Sequence, residues 1–177
     1  MKPEMMYRHA QIADRLRRLP RKMLQLHGRD NVTDFVLHEL CSKDCFNIPK
    51  AAYFIDNPAF NCLKGVVGIS GVELHNSDNI WDKPEEFIEK MAQSSFNQQV
   101  RSFTYNSRKK HEEPEAAMAK TIAQELGLVD YGYYSWDMKH DNHGFLVCEK
   151  DVTSHCDHAA DDVIVDGLCL LSFCPIY

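Results

Sequence analysis

The stretch His38–Cys62, HELCSKDCFNIPKAAYFIDNPAFNC, carries the chain from helix into sheet. Its opening residues continue a helical apolar pattern that begins at Val32. After Ile48-Pro49, AAYFID is an apolar, β-prone run closed by the turn-forming NPAFN. The next run, CLKGVVGISGVEL, reads as a second strand interrupted by glycines. The spacing Gly65-x-x-Gly68-x-x-Gly71 matches neither a dinucleotide fingerprint nor a phosphate loop, so bulges or tight packing are expected there.

Toward the N-terminus, Met5, Ile12, Leu16 and Leu19 recur at roughly helical spacing with arginines between them, which predicts a helix over 4–18. Pro20 is expected to end it, or to start a short helix RKMLQLHG that Gly28 caps. A third helix, NVTDFVLHELCSKDC, has Asn31 or Asp30 as its cap. Toward the C-terminus, Asp82, Pro84, Glu85 and Glu86 mark a helix start, and Pro114 opens another helix that Gly127 closes. YGYYSWD and GFLVCEK flank the turn-rich KHDNH and predict a hairpin. DDVIV and LCLLSF around Asp166-Gly167 predict a second one. The expectation is an α+β fold, with N-terminal and central helices packed on a mainly antiparallel sheet.

The 177 residues fit a single domain, 1–177, with apolar and charged shares of 44% and 26% that suit a folded core. No uncharged apolar run is long enough to cross a membrane, and the N-terminus lacks the apolar core of a secretory signal. A cytoplasmic protein is therefore expected. Seven cysteines, an odd count, argue against a disulfide framework there. Residues 1–30 form a basic helical segment, with eight Lys/Arg against three Asp/Glu. Residues 129–177 form an acidic tail expected to be β-rich, with two against nine. The overall charge of −6 disfavours nucleic acid as a partner.

Three chemistries compete for the polar residues. The first is a soft-metal site, since thiolate and imidazole are the donors zinc prefers. On the third helix, Asp34, His38, Cys41 and Cys45 fall on one side, roughly opposite Val32, Phe35, Val36 and Leu40. His38 to Cys45 spans about 10 Å of regular helix, so Cys45 can share an ion with His38 and Cys41 only beyond a helix end. Cys62 would approach from the next strand. The second is the tail sequence HCDHAADD, where His155 and His158 are i, i+3 neighbours beside Asp161 and Asp162. Zinc or iron would suit either group, and one site built from both would be His38, Cys41, Cys45, Cys62, His155 and His158. The third is thiol catalysis at Cys62, with Asn57 or Asn61 nearby and His38 as its nearest candidate base.

The leading expectation is a protein with a Cys/His metal site, structural or catalytic, of unknown substrate. The rival is a metal-free binding or regulatory protein. It would meet an acidic partner, or the acidic tail of a second copy in a homo-oligomer, through Arg15, Arg17, Arg18, Arg21 and Lys22. Core filling also accounts for Cys148, Cys169 and Cys174 in their apolar runs. Alternating strand packing equally accounts for the aromatic run Tyr131–Trp136.

Overall fold

The computed structural model of the chain describes residues 3–26, 28, 31–74, 79–150 and 158–175, and the side chains of all of these except 3–6 and 158–162. Six helices run in this part: α1 (Pro3–Gln25), α2 (Val32–Cys41), α3 (Pro84–Gln93), α4 (Ser95–Ser102), α5 (Glu115–Leu126) and α6 (His158–Leu168). The strands are β1 (Lys50–Asn57), β2 (Cys62–Ser70), β3 (Thr104–Tyr105), β4 (Tyr131–Asp137) and β5 (His143–Glu149). They form one antiparallel sheet in the order β3-β2-β1-β5-β4. The fold is α+β, as the sequence predicts, and among the described residues no helix is long and apolar enough to cross a membrane.

Helices cover both faces of the sheet. Alternate residues of β1 therefore enter two different cores. Ala51, Tyr53 and Ile55 pack with α1, α2, α3 and α6, whereas Ala52 and Phe54 pack with α4 and α5. Burial on both faces explains why AAYFI lacks a polar alternation. The β1–β2 register shifts between Tyr53, which faces Val67, and Phe54, which faces Gly65, and this leaves Val66 as an extra, bulged residue. Beyond Lys64, no strand among the described residues pairs with the outer side of β2, and α4 covers that edge instead. Asn97 Oδ1 accepts from Gly68 N at 2.9 Å, and Arg101 Nε donates to Val66 O at 3.0 Å. Glycine is required for this approach, because a Cβ at Gly65 would lie 1.9 Å from the Val100 carbonyl oxygen.

Several local expectations give way to packing. Pro20 does not end the first helix. Leu16, Leu19, Met23 and Leu26 on either side of it all face one core, while Pro20 itself is exposed, so its missing N–H falls on the wet side. Helix α2 stops at Cys41 rather than Cys45. Ser42 leaves the helical region, and the N–H groups of Phe46 and Ile48 satisfy the carbonyls of Leu40 and Cys41. Asp82 does not cap α3, whose N-cap position is Lys83. Helix α4 is absent from the sequence expectation altogether.

The C-terminal hairpin is overturned. Residues 158–168 are helical and Cys169–Phe173 form a 3-10 turn, so the tail beyond β5 is not strand in its described part. Val163, Ile164, Leu168 and Leu171 recur at helical spacing against the core. Gly167 is no turn residue there. It lets Phe46 approach so closely that a Cβ would lie 2.8 Å from the ring.

Candidate functional site

Helix α2 is buried along nearly its whole length, so its polar side chains need partners inside the protein. Glu39 finds three. Its Oε1 accepts from Arg15 Nη1 at 3.0 Å and Lys22 Nζ at 3.3 Å, and its Oε2 accepts from Trp81 Nε1 at 2.8 Å. Burial pushes the Glu39 carboxyl up, but the Trp81 hydrogen bond and the Lys22 and Arg15 charges outweigh it and hold the group below its ordinary range. Much of the basic cluster is thereby used up internally: Arg15 also pairs with Asp44, and Arg18 with Asp14. Arg17 and Arg21 are exposed.

The other polar residues of α2 scatter rather than converge. Asp34, in the first turn, pairs with Arg101. His38 lies edge-on to the Phe87 ring, 5.0 Å between centroids, and burial lowers its pKa. Cys41 and Cys45 are buried, with their thiols pushed up by desolvation, Cys45 to about 12. Cys45 does lie beyond the helix end. Cys41 is close enough to Cys148 and Cys45 for each to disfavour its ionisation further. Cys62 stands apart, half-buried at the start of β2. His155 and the side chain of His158 lie outside the described residues. Among the described residues no three His, Cys, Asp or Glu side chains are grouped to hold a metal ion.

What does converge is a cleft of about 450 Å³ on the α2 side of the sheet, where the β1–β2 hairpin, α2 and α4 meet. Asp34 enters it from α2, Cys62 and Lys64 from β2, Arg101 from the end of α4. The remaining polar walls are Thr33 on α2, Asn57 at the end of β1, and Asn142 between β4 and β5. Ile55, Val66, Phe60 and Pro175 supply apolar surface, and Phe60 is 81% exposed beside the opening.

The local sequence sets each group. Asn57 Oδ1 caps the 3-10 turn Pro58–Phe60 by accepting from Phe60 N at 3.1 Å, and its amide NH₂ makes no hydrogen bond among the described residues. The left-handed Asn61 that follows (φ 50°) turns the chain into β2 and sets Cys62 beside the cleft. Arg101 Nη2 donates to both Asp34 oxygens, at 2.8 and 2.9 Å. Burial nonetheless raises the Asp34 carboxyl to about 6, against the pull of the Arg101 charge. Lys64 is exposed and has no ion-pair partner among the described residues. Asn142 Oδ1 is buried without a hydrogen-bond partner among the described residues.

Sequence reasoning singles out Asn57, Cys62 and Asp34, but misses Lys64, Arg101 and Asn142. The available signal for Arg101 is weak: Phe96 and Val100 are i, i+4 neighbours in SFNQQVRS, a helical spacing easily lost in so polar and short a segment. No family model matches the chain, and no curated protein matches it significantly. The cleft therefore has to be interpreted from its own chemistry.

Proposed function

We propose that this protein is a binding or regulatory protein that takes a small molecule in the cleft between α2, α4 and the β1–β2 hairpin. One observation carries the reading. Residues as distant in sequence as Asp34, Cys62, Arg101 and Asn142 meet around one concavity of about 450 Å³ that also offers apolar surface. Small-molecule sites combine a volume of this order with an apolar lining and a few convergent polar groups. The same reading places the protein in the cytoplasm, where its free cysteines would stay reduced.

The test is a thermal-shift screen of the wild type and of Cys62→Trp, which fills the cleft from its half-exposed edge, against a chemically diverse panel of small molecules. At about a hundred times its dissociation constant a ligand adds about 2.7 kcal/mol of stability, which such a screen resolves. The expected result is at least one compound that stabilises the wild type and not the folded variant. Stabilisation that survives Cys62→Trp places the ligand elsewhere.

A second reading keeps a Cys/His metal centre for zinc or iron, structural or catalytic. It is supported by the closeness of Cys41 to Cys45 and Cys148, and further ligands would have to come from the segment holding His155 and His158. A bound ion would reverse the protonation of these thiols, because thiolate is the form that ligates. Elemental analysis of protein purified without chelator, repeated on Cys41→Ser, decides it. About one ion per chain, lost in the variant, supports the centre, and metal-free protein removes it.

A further inference from the structure

The second cavity of similar size, along α1, asks for no ligand. Its three basic groups, Arg15, Arg18 and Lys22, are matched by Asp14, Glu39 and Asp44, and the pairs are already made. The cleft beside α2 is different, because among the described residues its two cations, Lys64 and Arg101, face one carboxylate. Asp34 is its only carboxylate among the described residues, and it is bound by one nitrogen of Arg101. Arg101 spends Nε on Val66 O and Nη2 on Asp34, which leaves Nη1 without a partner among the described residues. Lys64 is wholly uncommitted there. The amide NH₂ groups of Asn57 and Asn142 make no hydrogen bond among the described residues either. Asn142 Oδ1 and the Thr33 hydroxyl add acceptor capacity, but the charged capacity left unused among the described residues is N–H, on Lys64 and Arg101, with the two amides beside it.

Resting on the reading of this cleft as a small-molecule site, we propose that its ligand is a small organic anion, a carboxylate or phosphate ester on a compact apolar body. The anionic group is held by Lys64 and the free edge of the Arg101 guanidinium, with the Asn57 and Asn142 amides as further donors. Arg101 is fixed beforehand by its bonds to Val66 O and Asp34, so little side-chain freedom is lost on binding. The planar guanidinium fork suits either oxyanion, and the Lys64 ammonium adds a point charge. The apolar body lies against Ile55 and Val66, with Phe60 at the opening.

Calorimetric titration with phenyl phosphate, benzoate and benzamide tests this, on wild type and on Lys64→Gln. Lys64 is exposed and has no ion-pair partner among the described residues, so that variant is expected to leave the fold intact. The expected result is binding of at least one anion about tenfold or more tighter than benzamide, reduced about tenfold in Lys64→Gln and weakened further by added salt. Whichever anion binds tighter assigns the group as phosphate or carboxylate. Benzamide binding as tightly as both anions, or anion affinity unchanged in Lys64→Gln, overturns the assignment of charge and leaves the cleft reading standing. Failure of all three probes, while compounds of the diverse panel bind the wild type and not Cys62→Trp, overturns it in the same way. If the panel fails as well, both readings fall.

Discussion

Arg101 of α4 reaches Asp34 of α2 across 67 positions of sequence, its Nη2 standing 2.8 and 2.9 Å from the two carboxylate oxygens. The same guanidinium holds the open edge of β2 through Val66 O, so it ties a helix from each face of the sheet to the sheet's own margin. The pair forms one wall of the cleft, which couples the site to the packing of the fold.

That coupling has a pH signature. The Asp34 carboxyl is raised from 3.8 to about 6 in the folded protein, because burial disfavours its charge more than Arg101 favours it. The folded state then binds this proton more tightly than the unfolded chain does. Its contribution is fully present below the unfolded value and is lost as pH rises to about 6. Asp34→Asn, which stays neutral, should gain stability relative to wild type as pH rises from about 4 to about 6, by about 2–3 kcal/mol, and then level off. Urea unfolding of both proteins across this range checks it, and a pH-independent difference contradicts it.

Glu39 is the electrostatic anchor of the α1–α2 contact. Glu39→Ala leaves Trp81 Nε1, Arg15 and Lys22 without their acceptor. A loss of about 2 kcal/mol is expected, below the roughly 3–5 kcal/mol of a fully buried pair because Arg15 and Lys22 are each about a third exposed and partly screened. Asp44→Ala, at a partner that is 71% exposed, should change stability by less than about 0.5 kcal/mol. Denaturant midpoints at unchanged slope measure both.

The close approach of α4 to β2 predicts a steep contrast between two glycines. Gly65→Ala puts a methyl 1.9 Å from the Val100 carbonyl oxygen, and the backbone there has to move. A destabilisation of about 3 kcal/mol or more follows. At Gly71 the nearest atom, Pro49 O, would be 3.3 Å away, so Gly71→Ala should cost less than about 1 kcal/mol. Similar losses at the two positions would contradict this close packing of α4 on β2.

Thiol reactivity separates the cysteines. Burial pushes the thiols of Cys41, Cys45 and Cys174 up, which suppresses the reactive thiolate, whereas Cys62 opens onto the cleft. Native titration with a chromogenic disulfide should show a fast phase that Cys62→Ser removes and Cys45→Ser preserves. The reverse pattern would exclude the placement of Cys62 at an open cleft.

The sheet was largely legible in the sequence, and the reason is local. The β1–β2 and β4–β5 hairpins are each bounded by their own turn residues, NPAFN and KHDNH, so neighbouring residues suffice to identify them. Helix α5 announces itself through Pro114 and the left-handed Gly127. The failures are places where distant contacts decide. Asp166-Gly167 has the composition of a turn, yet Gly167 serves a helix by admitting Phe46. The polar side of α2 suggests one shared site, yet Asp34, His38 and Cys41 each find a separate environment once the helix is buried on all sides. The cleft was half visible, through Asn57 and Cys62. Lys64, Arg101 and Asn142 could not be joined to them without the topology that brings β2, α4 and the β4–β5 connection together.

The central claim, that the cleft beside α2 is where this protein binds a small molecule, is tested most directly by methyl NMR. Spectra of the protein would be recorded with and without the pooled compound panel, with Ile55 and Val66 assigned by substitution. A binding compound is expected to shift the methyl resonances of these two residues, which line the cleft, ahead of those of Leu24, which is exposed on α1. Shifts confined to residues outside the cleft, or none with any compound, would contradict it.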